Sequence, residues 1–231
     1  MRRVFCEQKI TTDQITLAGS EAHHLTNVLH VQAGEEVTLF DNTGWEFLAQ
    51  VVKATKREVH FAVQERSEID RVAPRSLTLA VALPKGDRQR VLVEKATELG
   101  VTTLRPMLTE RSVVKPRDNS LEKMRRYVVE ASKQCGRNRL MEIAKPIALA
   151  ELLERPTKGT KLISHPNGAP LRDFLTPDCT EILALVGPEG GFADTEVTQA
   201  VAAGFSQVSL ATTILRIETA ALTIAATNLN L

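Results

Sequence analysis

Two segments near the C-terminus constrain this chain more than any other part of it. The first is Glu181-Ile-Leu-Ala-Leu-Val-Gly-Pro-Glu-Gly-Gly-Phe192, and the second is Val208-Ser-Leu-Ala-Thr-Thr-Ile-Leu-Arg-Ile-Glu-Thr-Ala220. Ile182 to Val186 is a short apolar run that stops at a glycine, which predicts a buried strand. Gly187, Pro188, Gly190 and Gly191 then form a turn in which glycine lets a ligand approach the main chain. Asp194 is placed to cap a helix over Thr195 to Ala203, which Gly204 ends. Val208 to Leu210 reads as the next strand, Ala211 to Thr213 as a polar loop, and Leu215 onward as a helix. Loops after strands in open α/β sheets are where ligands bind. A purely structural turn accounts for the same glycines.

The rest of the C-terminal part has the same alternation. Leu77 to Leu83 is a nearly continuous apolar run and predicts a strand buried on both faces. Arg90 to Leu99 reads as a helix stopped by Gly100, Val101 to Met107 as a strand, and Asn119 to Cys135 as a helix ended by Gly136. Leu149 to Leu153 is a short helical piece, and Leu162-Ile163-Ser164 is a strand ending at His165-Pro166. The class is α/β with a mostly parallel sheet. Neither G-x-G-x-x-G nor G-x-x-x-x-G-K-[ST] occurs, so a nicotinamide enzyme or a P-loop ATPase is poorly supported.

Residues 1–66 read mainly as strand. Ile15 to Leu17, Glu36 to Phe40, Trp45 to Val52 and Glu58 to Val63 are extended, with Asp41-Asn-Thr-Gly44 as a turn. Ser20 to Leu29 has helical spacing with Ser20 as its cap. Short strands and tight turns suggest a small barrel, either a structural appendage or a nucleic-acid reader. Ser67 to Ser76 is polar and contains Pro74. The division is therefore 1–68, a linker at 69–75, and 76–231.

A formal net charge of +1 neither favours nor excludes nucleic acid as a global partner. Cys6, Cys135 and Cys179 are odd in number and far apart, which fits a reducing compartment better than a disulfide framework. No histidine has metal-site spacing, so no metal is expected; adjacent His23 and His24 suit surface or packing roles. No secretory or membrane-spanning run is evident. Lys85, Arg88, Glu110, Arg111, Arg137 and Arg139 gather near predicted strand or helix ends, and arginine forks suit phosphate. Lys123, Arg125 and Arg126 read as a solvated helix face.

Six segments then carry a resemblance. They are Leu83-Pro-Lys-Gly-Asp87, Glu94-Lys-Ala-Thr-Glu-Leu-Gly-Val101, Glu110-Arg-Ser112, Glu130-Ala-Ser-Lys-Gln-Cys-Gly-Arg137, Val186 to Phe192 and Ile214 to Ala220. In this order they resemble the RsmE family of 16S rRNA uridine-N3 methyltransferases, and the likeness covers essentially the whole chain. The resemblance implies a C-terminal α/β trefoil-knot SPOUT methyltransferase domain and a small N-terminal PUA-like β-barrel that helps hold RNA. It implies S-adenosylmethionine bent among three loops, a homodimer, and a cytoplasmic enzyme with no membrane partner. The substrate it implies is N3 of uridine 1498, in the standard bacterial rRNA numbering, within the assembled 30S subunit. Another RNA site, a 2′-hydroxyl target, or a catalytically silent assembly protein are the alternatives.

On this resemblance Arg216 orients the base or stabilises its charge, with Glu218 in support. The cofactor loops take in Ile163, His165, Val186, Gly187, Glu189, Gly190, Gly191, Leu210, Ala211, Ile214 and Leu215. RNA contacts fall to Arg2, Arg3, His30, Lys85, Arg88, Arg111 and Arg137. The chain departs from the family pattern at Ala211, usually glycine, at Thr213, usually arginine, and at Met141, usually proline.

Overall fold

The computed structural model describes residues 1–69, 71, 73–176 and 178–229. The chain divides into two compact units, Met1–Val72 with Ser132–Leu140, and Ala73–Ala131 with Met141–Leu231. Residues 132–140 thus belong with the N-terminal unit, whereas the sequence pattern assigned them to the C-terminal domain. In the linker expected at 69–75, residues 70 and 72 lie outside the described residues.

The first unit is a five-stranded sheet in the order β1-β3-β4-β5-β2, from β1 (Arg2–Phe5), β2 (Gln14–Ala18), β3 (Glu36–Phe40), β4 (Trp45–Ala54) and β5 (Glu58–Glu68). β5 runs five residues past the expected Val63, and β1 is a further strand, parallel to β3. Alternation along β4 and β5 sends Phe47, Ala49, Val51, Val59 and Phe61 into one core with Val4, Val37 and Leu39. Helix α1 (Gly19–Asn27) adds Ala22 and Leu25 to it. Its N-cap is Ala18 with no side-chain cap bond, so Ser20 lies inside the helix rather than capping it. The Asp41–Gly44 turn uses positive φ at Asn42 and Gly44, and buried Asp41 accepts from the Ile10 amide at 2.8 Å.

Residues 132–140 are held in this unit by long-range polar contacts. Arg3 donates to Glu46 at 2.5 Å and also to Asn138 Oδ1. Arg71 joins Glu46 and donates to the Gly136 carbonyl at 2.8 Å. Leu140 N donates to Asn42 Oδ1 at 2.6 Å. Burial pushes the Glu46 carboxyl upward, but the hydrogen bonds from Arg71 and Arg3 outweigh it and hold the group below its ordinary value.

The second unit is a parallel sheet in the order β12-β10-β11-β6-β7-β8. Its strands are β6 (Ser76–Val81), β7 (Thr103–Leu108), β8 (Glu142–Ile143), β10 (Thr160–Pro170), β11 (Glu181–Val186) and β12 (Ser206–Ser209), and β9 (Ile147–Ala148) also pairs with β7. Helices α2 (Arg88–Glu98), α3 (Asp118–Cys135), α4 (Leu149–Glu154), α5 (Asp194–Ala202) and α6 (Ile217–Leu229) connect or follow them. Ala80, Ile163, Leu183 and Leu185 meet Leu149, Leu152, Ala200 and Phe205 in one core layer. α6 packs against α2, β6 and β11. The strand before it, β12, lies at the sheet edge, so the chain returns inward to pack its last helix. Fully buried Ala221 and Ala225 permit that close fit.

Three boundaries differ from the sequence reading around this region. β10 does not end at His165-Pro166 but continues to Pro170, with Ser164 and Ala169 both opposite Val208. Residues 165–168 therefore bulge out of the ladder. A Cβ on Gly168 would stand 2.5 Å from the Gln207 and Val208 backbone, so the return of β10 beside β12 requires glycine there. α6 starts at Ile217, two residues after Leu215, and residues 230 and 231 of the expected helix lie outside the described residues. Asp194 is the first residue of α5, and Ala193 occupies the cap.

Candidate functional site

Strands β10, β11 and β12 run parallel and adjacent, so the loops leaving their carboxyl ends converge. Between them lies a cavity of about 370 Å³. It is walled by Ser164 to Pro166, by Val186 to Phe192, and by the segment from Val208 to Leu215, with Ile217 and Ala220 of α6. Of the residues expected to hold a cofactor, His165, Val186, Gly187, Glu189, Gly190, Gly191, Leu210, Ala211, Ile214 and Leu215 line this cavity. Ile163 does not; it is fully buried in the sheet core one residue earlier. Ile214 is 90% exposed, a large apolar side chain left bare at the cavity.

The glycine loop is held from several sides. Gly191 takes φ +69°, and its amide closes a turn onto the Pro188 carbonyl at 2.8 Å. Gly187 lies over Phe192, whose ring would be 2.9 Å from an added Cβ. Arg111 donates to the Gly190 carbonyl at 2.9 Å, and Arg88 to the Glu189 carboxylate at 2.9 Å. Buried Glu196 accepts from the Ala193 amide at 2.9 Å and from the Glu110 amide at 2.8 Å. That carboxylate closes the start of α5 and ties it to the loop after β7.

Arg216 and Glu218 do not line the cavity. Arg216 is exposed in the segment just before α6. Glu218, on the first turn of α6, is 8% exposed, and its Oε2 lies 3.9 Å from Arg88 Nη1. The side chains expected to meet RNA fall in different settings. Arg2, His30 and Lys85 are exposed, and Arg2 pairs with Glu35 at 2.9 Å. Arg3 is engaged with Glu46 and Asn138 and lies over the Phe40 ring. Arg88 and Arg111 brace the glycine loop. Arg137 is half-buried, donates to the Arg139 carbonyl at 2.5 Å, and has its guanidinium pKa pulled down by burial.

Sequence reasoning missed Phe192 as a wall, although it closes the glycine segment. It also missed Glu196, because the cap three residues before it is an alanine and gives no capping-box signature. Among the described residues no cluster of His, Cys, Asp or Glu could hold a metal ion, and no helix is long and apolar enough to cross a membrane.

Residues 71–228 match the RNA methyltransferase domain family, and residues 17–64 match the RNA methyltransferase PUA domain. The ribosomal RNA small subunit methyltransferase E of Synechocystis is 34% identical over 95% of this chain and 74% of its own length. The protein of that name from Aquifex aeolicus is 31% identical over 98% and 99%. The Neisseria gonorrhoeae protein, solved bound to S-adenosyl methionine, superposes with a TM-score of 0.91 at 33% identity, covering 98% of this chain and 96% of that one. A methyltransferase from Legionella pneumophila, in complex with bound SAM, gives 0.92 at 30% identity with the same coverage. The chain belongs to the ribosomal RNA small subunit methyltransferase E family, rRNA methyltransferases of the trefoil-knotted SPOUT class with an N-terminal PUA-like β-barrel.

Proposed function

We propose that this chain methylates N3 of uridine 1498 of 16S rRNA, in the standard bacterial numbering, using S-adenosylmethionine. The observation that carries the reading is the cavity where the β10, β11 and β12 loops meet, with Ile214 bare beside it. Two relatives of 30% and 33% identity, solved with this cofactor, support it. In this reading residues 1–68 are the RNA-binding barrel, 69–75 the linker and 76–231 the methyltransferase domain, from which residues 132–140 are set apart in the N-terminal unit. The protein acts as a cytoplasmic homodimer on the assembled small subunit, where the exposed cations Arg2 and Lys85 suit its phosphates and His30 is an exposed polar side chain.

The cavity suits the cofactor. Its volume is in the range of small-molecule sites. Leu210, Ile214 and Leu215 offer apolar faces for a purine ring, the glycine loop offers main-chain polar groups, and Glu189 offers a carboxylate for an ammonium. When bound, S-adenosylmethionine supplies an electrophilic methyl group on a sulfonium centre. Arg216, exposed beside the cavity segment, orients the uracil and holds the negative charge that grows on its ring oxygens as N3 loses its proton. Glu218 faces Arg88 and supports the site from behind. The N3 proton passes to water or to a neighbouring RNA phosphate. Ala211 adds a methyl group and Thr213 an uncharged side chain to the loop lining where the family pattern has glycine and arginine.

The test is methyl transfer from labelled cofactor to undermethylated 30S subunits and, separately, to free 16S rRNA, with the product nucleoside mapped by mass spectrometry. N3-methyluridine at one position, on the subunit, is expected. A 2′-O-methyl product would overturn the N3 assignment, and no transfer to either substrate would overturn the enzymatic reading.

A further inference from the structure

Arg88 begins α2, immediately after the loop that leaves β6. Its guanidinium stands between two carboxylates. Nη2 donates to Glu189 Oε1 at 2.9 Å, and Nη1 lies 3.9 Å from Glu218 Oε2. Glu189 belongs to the glycine loop and lines the cavity. Glu218 sits between Ile217 and Ala220, both of which also line it. The Oε2 of Glu218 is buried without a hydrogen-bond partner, and among the described residues Arg88 is the cation within ion-pair distance of it. A buried carboxylate left uncompensated is costly, so this pairing is not incidental surface charge.

We infer that Arg88 is a positioning residue of the cofactor cavity, not an RNA contact. One planar fork addresses two cavity walls at once, the glycine loop through Glu189 and the start of α6 through Glu218. A lysine has one compact charge and cannot reproduce that span. The loop from Gly187 to Gly191 contains three glycines, so its unrestrained form is entropically costly to order on ligand binding. Fixing it beforehand removes that cost from the binding step. The Arg88–Glu189 pair itself is more than a third exposed on both sides, at 36% and 42%, so it adds little to global stability. Its effect is local, on loop order and ligand affinity. The inference rests on the reading that this cavity takes S-adenosylmethionine.

The experiment compares the full-length wild type with Arg88→Ala, Arg88→Lys and Glu189→Gln. It measures calorimetric affinity for S-adenosylmethionine, filter binding to 30S subunits, and amide exchange of the unliganded proteins, with circular dichroism confirming the fold. For Arg88→Ala the cofactor Kd is expected to rise about tenfold, the scale of one charge-assisted hydrogen bond. Affinity for 30S is expected to stay within about twofold, since no phosphate contact is lost. Exchange at 187–191 and 217–220 is expected to accelerate. Arg88→Lys should recover less than half of the lost affinity, and Glu189→Gln should loosen 187–191 alone. Unchanged cofactor affinity with weakened 30S binding would overturn the inference. A wild type that binds no cofactor would instead overturn the functional reading, and exchange in the free protein would still decide the latch: unchanged protection in Arg88→Ala, or in Glu189→Gln if the former fails to fold, contradicts it.

Discussion

Arg111 Nη1 donates a hydrogen bond to the carbonyl oxygen of Gly190 at 2.9 Å, so a side chain from the loop after β7 fixes the main chain of the glycine turn. The Gly190 Cα lies close enough that an added Cβ would rest 3.6 Å from Arg111 Cδ. Arg111→Ala removes that donor. The expected result is a rise of about fivefold in the Kd for S-adenosylmethionine, or ~1 kcal/mol. Calorimetry on the variant checks it. A loss confined to 30S binding would return Arg111 to a phosphate contact.

Gly168 tests the bulge that joins β10 to β12. Its Cβ would meet backbone rather than a yielding side chain, at 2.5 Å from Gln207 C and Val208 N. Gly168→Ala must therefore shift one strand, at a cost of ~1–3 kcal/mol. Urea denaturation should show a lowered midpoint. Gly204, which has open space around its Cβ, should lose less on substitution, mainly through the strain of its φ of +88°.

Glu46 makes the N-terminal unit acid-sensitive. Its folded carboxyl is held below the ordinary 4.5 because the Arg71 and Arg3 hydrogen bonds outweigh burial. A depressed carboxylate contributes stability above that ordinary value, and the contribution is lost as pH falls through the lowered folded value. Melting curves should show the wild type above Glu46→Gln by a constant margin near neutrality. The margin should shrink once the pH drops below 4.5.

The cysteines differ in reactivity. Cys6 is 2% exposed, and its thiol is pushed up to about 12 by burial, with Asp41 and Glu21 adding to the effect. Cys179 is buried and Cys135 is exposed. At pH 8 the folded protein should release one fast equivalent of chromophore from a disulfide reagent, and Cys135→Ser should abolish it. A fast second equivalent would mean that Cys6 or Cys179 is open to solvent.

What could be read from the sequence was whatever is local. The apolar runs of β6 and β11 were legible because both faces of a central parallel strand are covered. The cavity loops were legible because glycines follow a strand end. β10 was cut short because His165-Pro166-Asn167-Gly168 has turn chemistry, and only pairing with β12 returns the chain to the ladder. That residues 132–140 pack with the N-terminal unit was not legible, because Arg3 and Arg71 hold them from far along the chain, which no periodicity records. The Arg88–Glu189 hydrogen bond was not legible for the same reason: its partners are 101 residues apart in sequence.

The most direct test of the account is a calorimetric titration of the purified chain with S-adenosylmethionine, run beside Ile214→Asp. The account predicts saturable binding at one site per chain in the wild type. It predicts a loss of at least about tenfold in the variant, because a carboxylate would replace the bare apolar side chain at the cavity. Absence of binding in the wild type, or equal affinity in the two proteins, would contradict it.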